Sequence, residues 1–150
     1  ISELLSAGKS SWLQQEMISN KHLANQVYGY NMELCDDGVF IFLGIANPGV
    51  LAEDLESVFL EQIERLKNGK VTQEELNKIK INTKLDFMHT LESSSSLSDL
   101  YGGYLVRGNL SPLLEYEGNL DKITPELIST IAKKYFDNDK ATTMILRKNK

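Results

Sequence analysis

From Val39 to Ala46 every position is apolar or glycine. A half-solvated strand alternates apolar with polar, whereas an unbroken apolar run of this length reads as a strand covered on both faces. Just upstream, Tyr28, Tyr30, Met32 and Leu34 alternate with Val27, Gly29, Asn31 and Glu33. Asp36-Asp37-Gly38 lies between the two runs, and Asp and Gly tolerate the positive φ of a tight hairpin turn. The chain is thus committed to an antiparallel pair. Its second strand is expected to be central, with a neighbour on each side.

A sheet needs cover, and the rest of the chain supplies it as helices. Ile1–Ser6 reads as the tail of a helix ended near Gly8. Ser10-Ser11 cap a second short helix to about Asn20, with Trp12, Leu13 and Met17 inward. From residue 50 the period changes. Leu51, Leu55, Val58, Phe59, Ile63 and Leu66 fall on one helical stripe. Thr72 and Glu75 make a capping box, with Val71 and Leu76 placed as its hydrophobic staple, for a helix to about Leu91. Ser93–Ser96 breaks or recaps before a helix over Leu97–Val106, in which Gly102-Gly103 weakens the helix or permits close packing. Ser111-Pro112 and Thr124-Pro125 begin two more helices, each with Pro in its first turn. Ile128, Ile131, Ala132, Tyr135 and Phe136 form the buried stripe of the last. Thr142–Leu146 is expected as a closing strand. The predicted fold class is α+β, a small antiparallel sheet with helices packed on one face. All 150 residues are expected to form a single domain.

Composition removes several classes of function. Sixteen Lys and Arg against 21 Asp and Glu give a net charge of −5. No basic stripe stands out, so nucleic acid is not an expected partner. No apolar run approaches the ~20 residues of a membrane-spanning helix. One cysteine, Cys35, excludes an internal disulfide and is expected as a small packed or half-exposed thiol. Gly8-Lys9-Ser10 has the end of a phosphate-loop motif, but Glu3 stands where its first glycine is required. His89-x-x-Glu92 has the start of His-x-x-Glu-His, but position 93 is Ser93, so the second zinc ligand is missing. The acidic residues of Leu51–Leu66 lie opposite its apolar stripe and read as a solvated face. These patterns supply no catalytic residue and no metal site.

Four ordered stretches together resemble the insulinase/pitrilysin family of zinc metallopeptidases, which includes the processing peptidases. They are Leu4-Leu5-Ser6-Ala7-Gly8-Lys9-Ser10-Ser11-Trp12-Leu13-Gln14-Gln15-Glu16, Leu23-Ala24 running into a strand over Gln26–Leu34, Val71–Lys80, and Ile123-Thr124-Pro125-Glu126 through Phe136. The chain is similar to the second, C-terminal domain of such peptidases, which carries no zinc motif. The resemblance implies a non-catalytic domain of a zinc-dependent endopeptidase acting on unfolded peptides, with this domain walling the substrate chamber. Zinc is then implied for the full-length protein or its partner, and none for this chain. The implied partners are a peptide substrate, an N-terminal zinc domain, and a homo- or hetero-oligomeric copy. The start at Ile1 and the thin sheet lead us to expect an N-terminally truncated domain of a longer subunit.

In some of these domains an Arg and a Tyr seven residues apart reach toward the zinc site of another domain. The matching positions here are Ile18 and Asn25, which are carried forward as substrate-chamber candidates. Isoleucine donates nothing, and an Asn amide is a short substitute for a phenol. Two alternatives stay open. One is a catalytically inactive structural subunit of the same family. The other is an unrelated α+β ligand-binding domain, whose mark would be a hairpin and closing segment that do not share a sheet.

Overall fold

The computed structural model describes residues 1–34 and 36–147. Cys35, and with it the expectation for its thiol, lies outside the described residues. The order of elements is α1 (Ser2–Ser6), a π-helical segment (Gln14–Asn20), β1 (Ala24–Met32), β2 (Val39–Ala46), α2 (Ala52–Lys67), α3 (Gln73–Thr90), α4 (Ser94–Val106), α5 (Ser111–Leu114), α6 (Tyr116–Asp121) and α7 (Pro125–Tyr135). The class is α+β, as the sequence predicts.

β1 and β2 pair antiparallel from Ala24↔Ala46 to Met32↔Val39. Alternation then sorts the side chains. Val27, Gly29, Phe40, Phe42 and Gly44 face the helices, and Tyr28, Tyr30, Leu43 and Ile45 face away and are exposed. On the helix side an aromatic cluster bridges sheet and helices. Phe40 meets Phe136 edge-on with ring centroids 5.0 Å apart, and Phe42 lies 5.3 Å from Phe59 of α2. Such pairs stabilise by about 0.5–1.5 kcal/mol beyond their buried area. Gly44 makes this approach possible. A Cβ there would stand 2.8 Å from Leu55 Cδ2 and 3.3 Å from Phe59 Cζ.

The core runs beneath this layer. Leu5, Leu13, Met17, Val27 and Leu66 are fully buried, joined by Leu55, Val58, Ile128 and Ala132. α1 packs on β1, where Ser6 Oγ donates to the Gly29 carbonyl at 2.9 Å. The α2 stripe is buried at Leu55, Val58, Ile63 and Leu66, but Leu51 is exposed because it is the N-cap and lies before the first turn. α7 buries Ile128 and Ala132 and leaves Ile131 and Tyr135 exposed, a narrower stripe than expected. Ser129 Oγ ties α7 to the end of α2 by donating to the Lys67 carbonyl at 2.7 Å. Val71 and Leu76 are both buried, as a staple requires. Ser93 does recap, accepting from the Ser96 N–H at 3.4 Å.

The sheet departs from expectation in three respects. Six residues separate Met32 from Val39, so the connection is longer than a tight turn. Gly38 is needed there for space: a Cβ would stand 2.6 Å from the Met32 carbonyl oxygen. Among the described residues the sheet has two strands, so β2 is an edge strand and not a central one. Thr142–Leu146 forms no strand and pairs with neither β1 nor β2, with Met144 90% and Leu146 97% exposed. A strand is held by a neighbour's N–H and C=O groups. This segment has none alongside and is held by side chains: Thr143 Oγ1 donates to Glu56 Oε1 at 2.6 Å, and Arg147 pairs with Glu53. The expected closing strand is therefore corrected to a segment without regular secondary structure.

Candidate functional site

The two chamber candidates sit on the two irregular pieces of backbone in the first third of the fold. Ile18 lies in the π-helical segment and packs, partly buried, against the core. Asn25 is exposed on β1 at a bulge, where the register slips between Ala24 and Gln26. π-Helical turns and β-bulges each insert one residue into a regular ladder and re-aim the side chains beside it. The segment is tied down at its end. Lys21 Nζ lies 3.0 Å from Glu16 Oε1. This bond from Lys21 holds the Glu16 carboxyl below its ordinary pKa, and the same bond raises that of Lys21. Asn47 Nδ2 donates to the His22 carbonyl at 2.8 Å, beside the one non-glycine residue at positive φ among the described residues. At these two positions the chain offers one apolar side chain and one amide.

His89 lies on the last turn of α3, largely exposed, with Nδ1 3.4 Å from Glu92 Oε1. Ser93, where a second ligand would stand, is the N-cap of α4 and belongs to a new helix direction. Among the described residues no three of His, Cys, Asp and Glu are grouped to hold a metal ion. The donor set therefore does not fit a zinc site, and no hydrolytic step is assigned to these residues. Glu53, Asp54, Glu61 and Glu64 of α2 are exposed, in keeping with a solvated face.

The most connected polar group is Glu75. Its Oε1 accepts from the Trp12 indole N–H at 2.9 Å and from Arg65 at 3.3 Å. Its Oε2 accepts from the Thr72 backbone N–H at 2.8 Å and from Thr72 Oγ1 at 2.9 Å. The Arg65 guanidinium lies over the Trp12 ring, 3.5 Å from its centroid. Burial works to raise the Glu75 pKa, but the bonds from Thr72 and Trp12 and the charge of Arg65 outweigh it and leave the carboxyl below its ordinary range. The capping box was legible as a local motif. That its glutamate also gathers Trp12 and Arg65, 63 and 10 residues away, was not.

One concavity has a volume of about 2010 Å³. It is lined by β2 and by Ala141–Leu146. α2 and α7 line it with Phe59, Ile63 and Ile131, and Ile1–Leu4 line it as well.

The geometry defines an α+β domain with no group of His, Cys, Asp and Glu placed to hold a metal ion among its described residues. Residues 1–83, more than half of the chain, match the family described as the peptidase M16 inactive domain. The chain is 41% identical over 147 residues to the zinc protease PqqE of Helicobacter pylori, covering 98% of this chain and 33% of that protein. It is 28% identical over 146 residues to the uncharacterized zinc protease YmxG of Bacillus subtilis, covering 97% and 36%. The crystal structure of a protease from Helicobacter pylori superposes with a TM-score of 0.88 at 42% identity, over 91% of this chain and 33% of that one. A peptidase M16 inactive domain from Pseudomonas fluorescens shares the fold, with a TM-score of 0.74 at 22% identity over 93% and 33%.

The chain belongs to the peptidase M16 inactive-domain family, a family of zinc proteases, as the four ordered stretches had indicated. It spans about a third of the length of the curated relatives it matches. The closing segment does stand apart from the hairpin's sheet, the mark set for an unrelated ligand-binding domain. The family match and the 41% identity overrule that reading.

Proposed function

We propose that this chain is the non-catalytic domain of a zinc-dependent endopeptidase that cleaves unfolded peptides. It walls one side of the substrate chamber and holds a zinc-bearing domain in place. The observation that carries this is the identity to a zinc protease over nearly the whole chain, which spans only a third of that protease. The reaction, hydrolysis of a peptide bond by metal-activated water, belongs to another domain, N-terminal in the same polypeptide or on an oligomeric partner. The test is zinc content and peptidase activity, measured on residues 1–150 and on the full-length gene product. The 150-residue chain is expected to bind no stoichiometric zinc and to cleave nothing, and the full-length protein or its complex to do both. One zinc held tightly per 150-residue chain would overturn the assignment.

A second reading, a catalytically inactive structural subunit, is favoured by one observation. Ile18 and Asn25 lack the guanidinium and phenol that the family resemblance places at these positions. A full-length gene product, and partner, both lacking His-x-x-Glu-His would decide for it.

A further inference from the structure

We infer that α4 is a self-association face: a second copy of this chain packs its own α4 against it, about a two-fold axis at Tyr101. In that arrangement Leu97 of each copy meets Leu105 of the other.

α4 has 13 residues and buries none of them. A helix that faces water carries charge on its outer side, but α4 has a single charged residue, Asp99. Leu97, Tyr101 and Leu105 are exposed and stand four residues apart, so they form one ridge along the helix. Ridges of this spacing align and interdigitate when two helices pack. Beside the ridge, a Cβ at Gly102 would meet nothing within 4 Å. A neighbouring helix can therefore approach the backbone closely there. The chain as a whole also has area to bury. It exposes 10437 Å². A compact monomer of 16.9 kDa exposes about 7,700 Å², which leaves roughly 2,700 Å² in excess. A standard interface takes about 800 Å² from each partner.

Pattern, charge and place favour a second copy as the occupant. The ridge reads Leu, Tyr, Leu in both directions about Tyr101, the self-complementarity that a two-fold contact requires. Such a contact also sets charges near the axis against their own kind, which is repulsive. A chain of net charge −5 can meet itself most readily on an uncharged patch. Asp99 is kept off that patch, since it lies about 200° around the helix from Tyr101. Arg107, the C-cap of α4, donates to Glu33 at 2.8 Å, just past the end of β1. Asn25, the chamber candidate, is at the other end of β1, roughly 25 Å away along the strand. A zinc-bearing domain that reaches Asn25 therefore leaves α4 open. That last step rests on the proposed function.

The experiment is sedimentation of the full-length gene product over a range of concentrations, with zinc content read on the same samples. The expected result is a reversible dimer. Leu105→Glu and Leu97→Lys should each weaken it by about 30-fold or more. The double variant should return to within about fivefold of wild type, because glutamate and lysine then face each other twice across the axis. A second readout needs no loss of binding. Tyr101→Cys in a Cys35→Ser background should be joined copy to copy by a short bismaleimide, and Asp99→Cys in the same background should not. A monomer at every concentration would overturn the proposal, as would a dimer indifferent to Leu97 and Leu105. Single variants that weaken association without rescue, together with a Tyr101→Cys that does not cross-link, would overturn it too and assign α4 to a different contact. Each of these outcomes leaves the zinc assignment standing, which the metal content tests separately.

Discussion

Glu75→Ala is the most informative single change outside α4. Trp12 is 6% exposed, and removing the carboxylate leaves its indole N–H buried without the acceptor seen here. An unsatisfied buried donor costs about 1–3 kcal/mol. The α3 capping box also loses its reciprocal bond to the Thr72 N–H, and disrupted caps cost about 0.5–2 kcal/mol. The Arg65 pair adds less than about 1 kcal/mol, since both side chains are about a third exposed. These terms share one carboxylate and do not simply add. The expected loss is about 2–4 kcal/mol, a fall in Tm of roughly 5–15 °C for a chain of this size. Trp12 is the sole tryptophan, so urea melts of the 150-residue chain followed by its fluorescence report on this cluster itself. The pH dependence provides a second check. The folded pKa of Glu75 is depressed, so its contribution is complete above the unfolded value of about 4.3. It is lost as pH falls through the lower folded value. The gap in stability between wild type and Glu75→Gln should therefore be constant from pH 6 to 8 and narrow below about pH 4. A Glu75→Ala variant within about 0.5 kcal/mol of wild type, or a gap that widens on acidification, would refute the reasoning.

Gly44→Leu should destabilise by about 1–3 kcal/mol or more, since even a Cβ meets Leu55 at 2.8 Å; chemical denaturation measures it. Ile18→Arg combined with Asn25→Tyr in the full-length protein should change kcat/KM with little shift in Tm, if this domain faces the chamber as proposed. A lower Tm with unaltered kinetics would speak against a site at those positions.

The parts of the fold legible in the sequence were those set by local pattern. The capping box at Thr72 and Glu75, the buried Leu13 and Met17 and, Leu51 apart, the α2 stripe follow from spacing alone, and each stands where spacing puts it. The sheet was legible only in part. β2 has the composition of a central strand, but composition does not say which residues lie beside it. Residues 142–146 are strand-like in composition but have no neighbouring strand to bond. The Gly102-Gly103 pair in α4 was read as weakening its helix or permitting close packing, yet a Cβ at either would meet nothing within 4 Å. α4 buries none of its residues within this chain. Of the candidate site, the missing zinc ligand at Ser93 was readable at once. The gathering of Trp12, Arg65 and Glu75 was not, because the three residues share no local period.

The bulge at Asn25 acts as a phase shift in the chain. Ala24 and Val27 are both buried although three residues apart, an odd spacing that a regular strand cannot place on one face. The extra residue resets the parity, so that the chain leaving the π-helical segment and the ladder that follows can each keep their apolar side inward. Insertions and deletions here are therefore not equivalent to those in a loop. Losing one residue between Leu23 and Val27 would leave sheet and helix each intact in composition but out of step, with one of the two apolar sets turned to water. Length, more than residue type, is what this short stretch has to conserve.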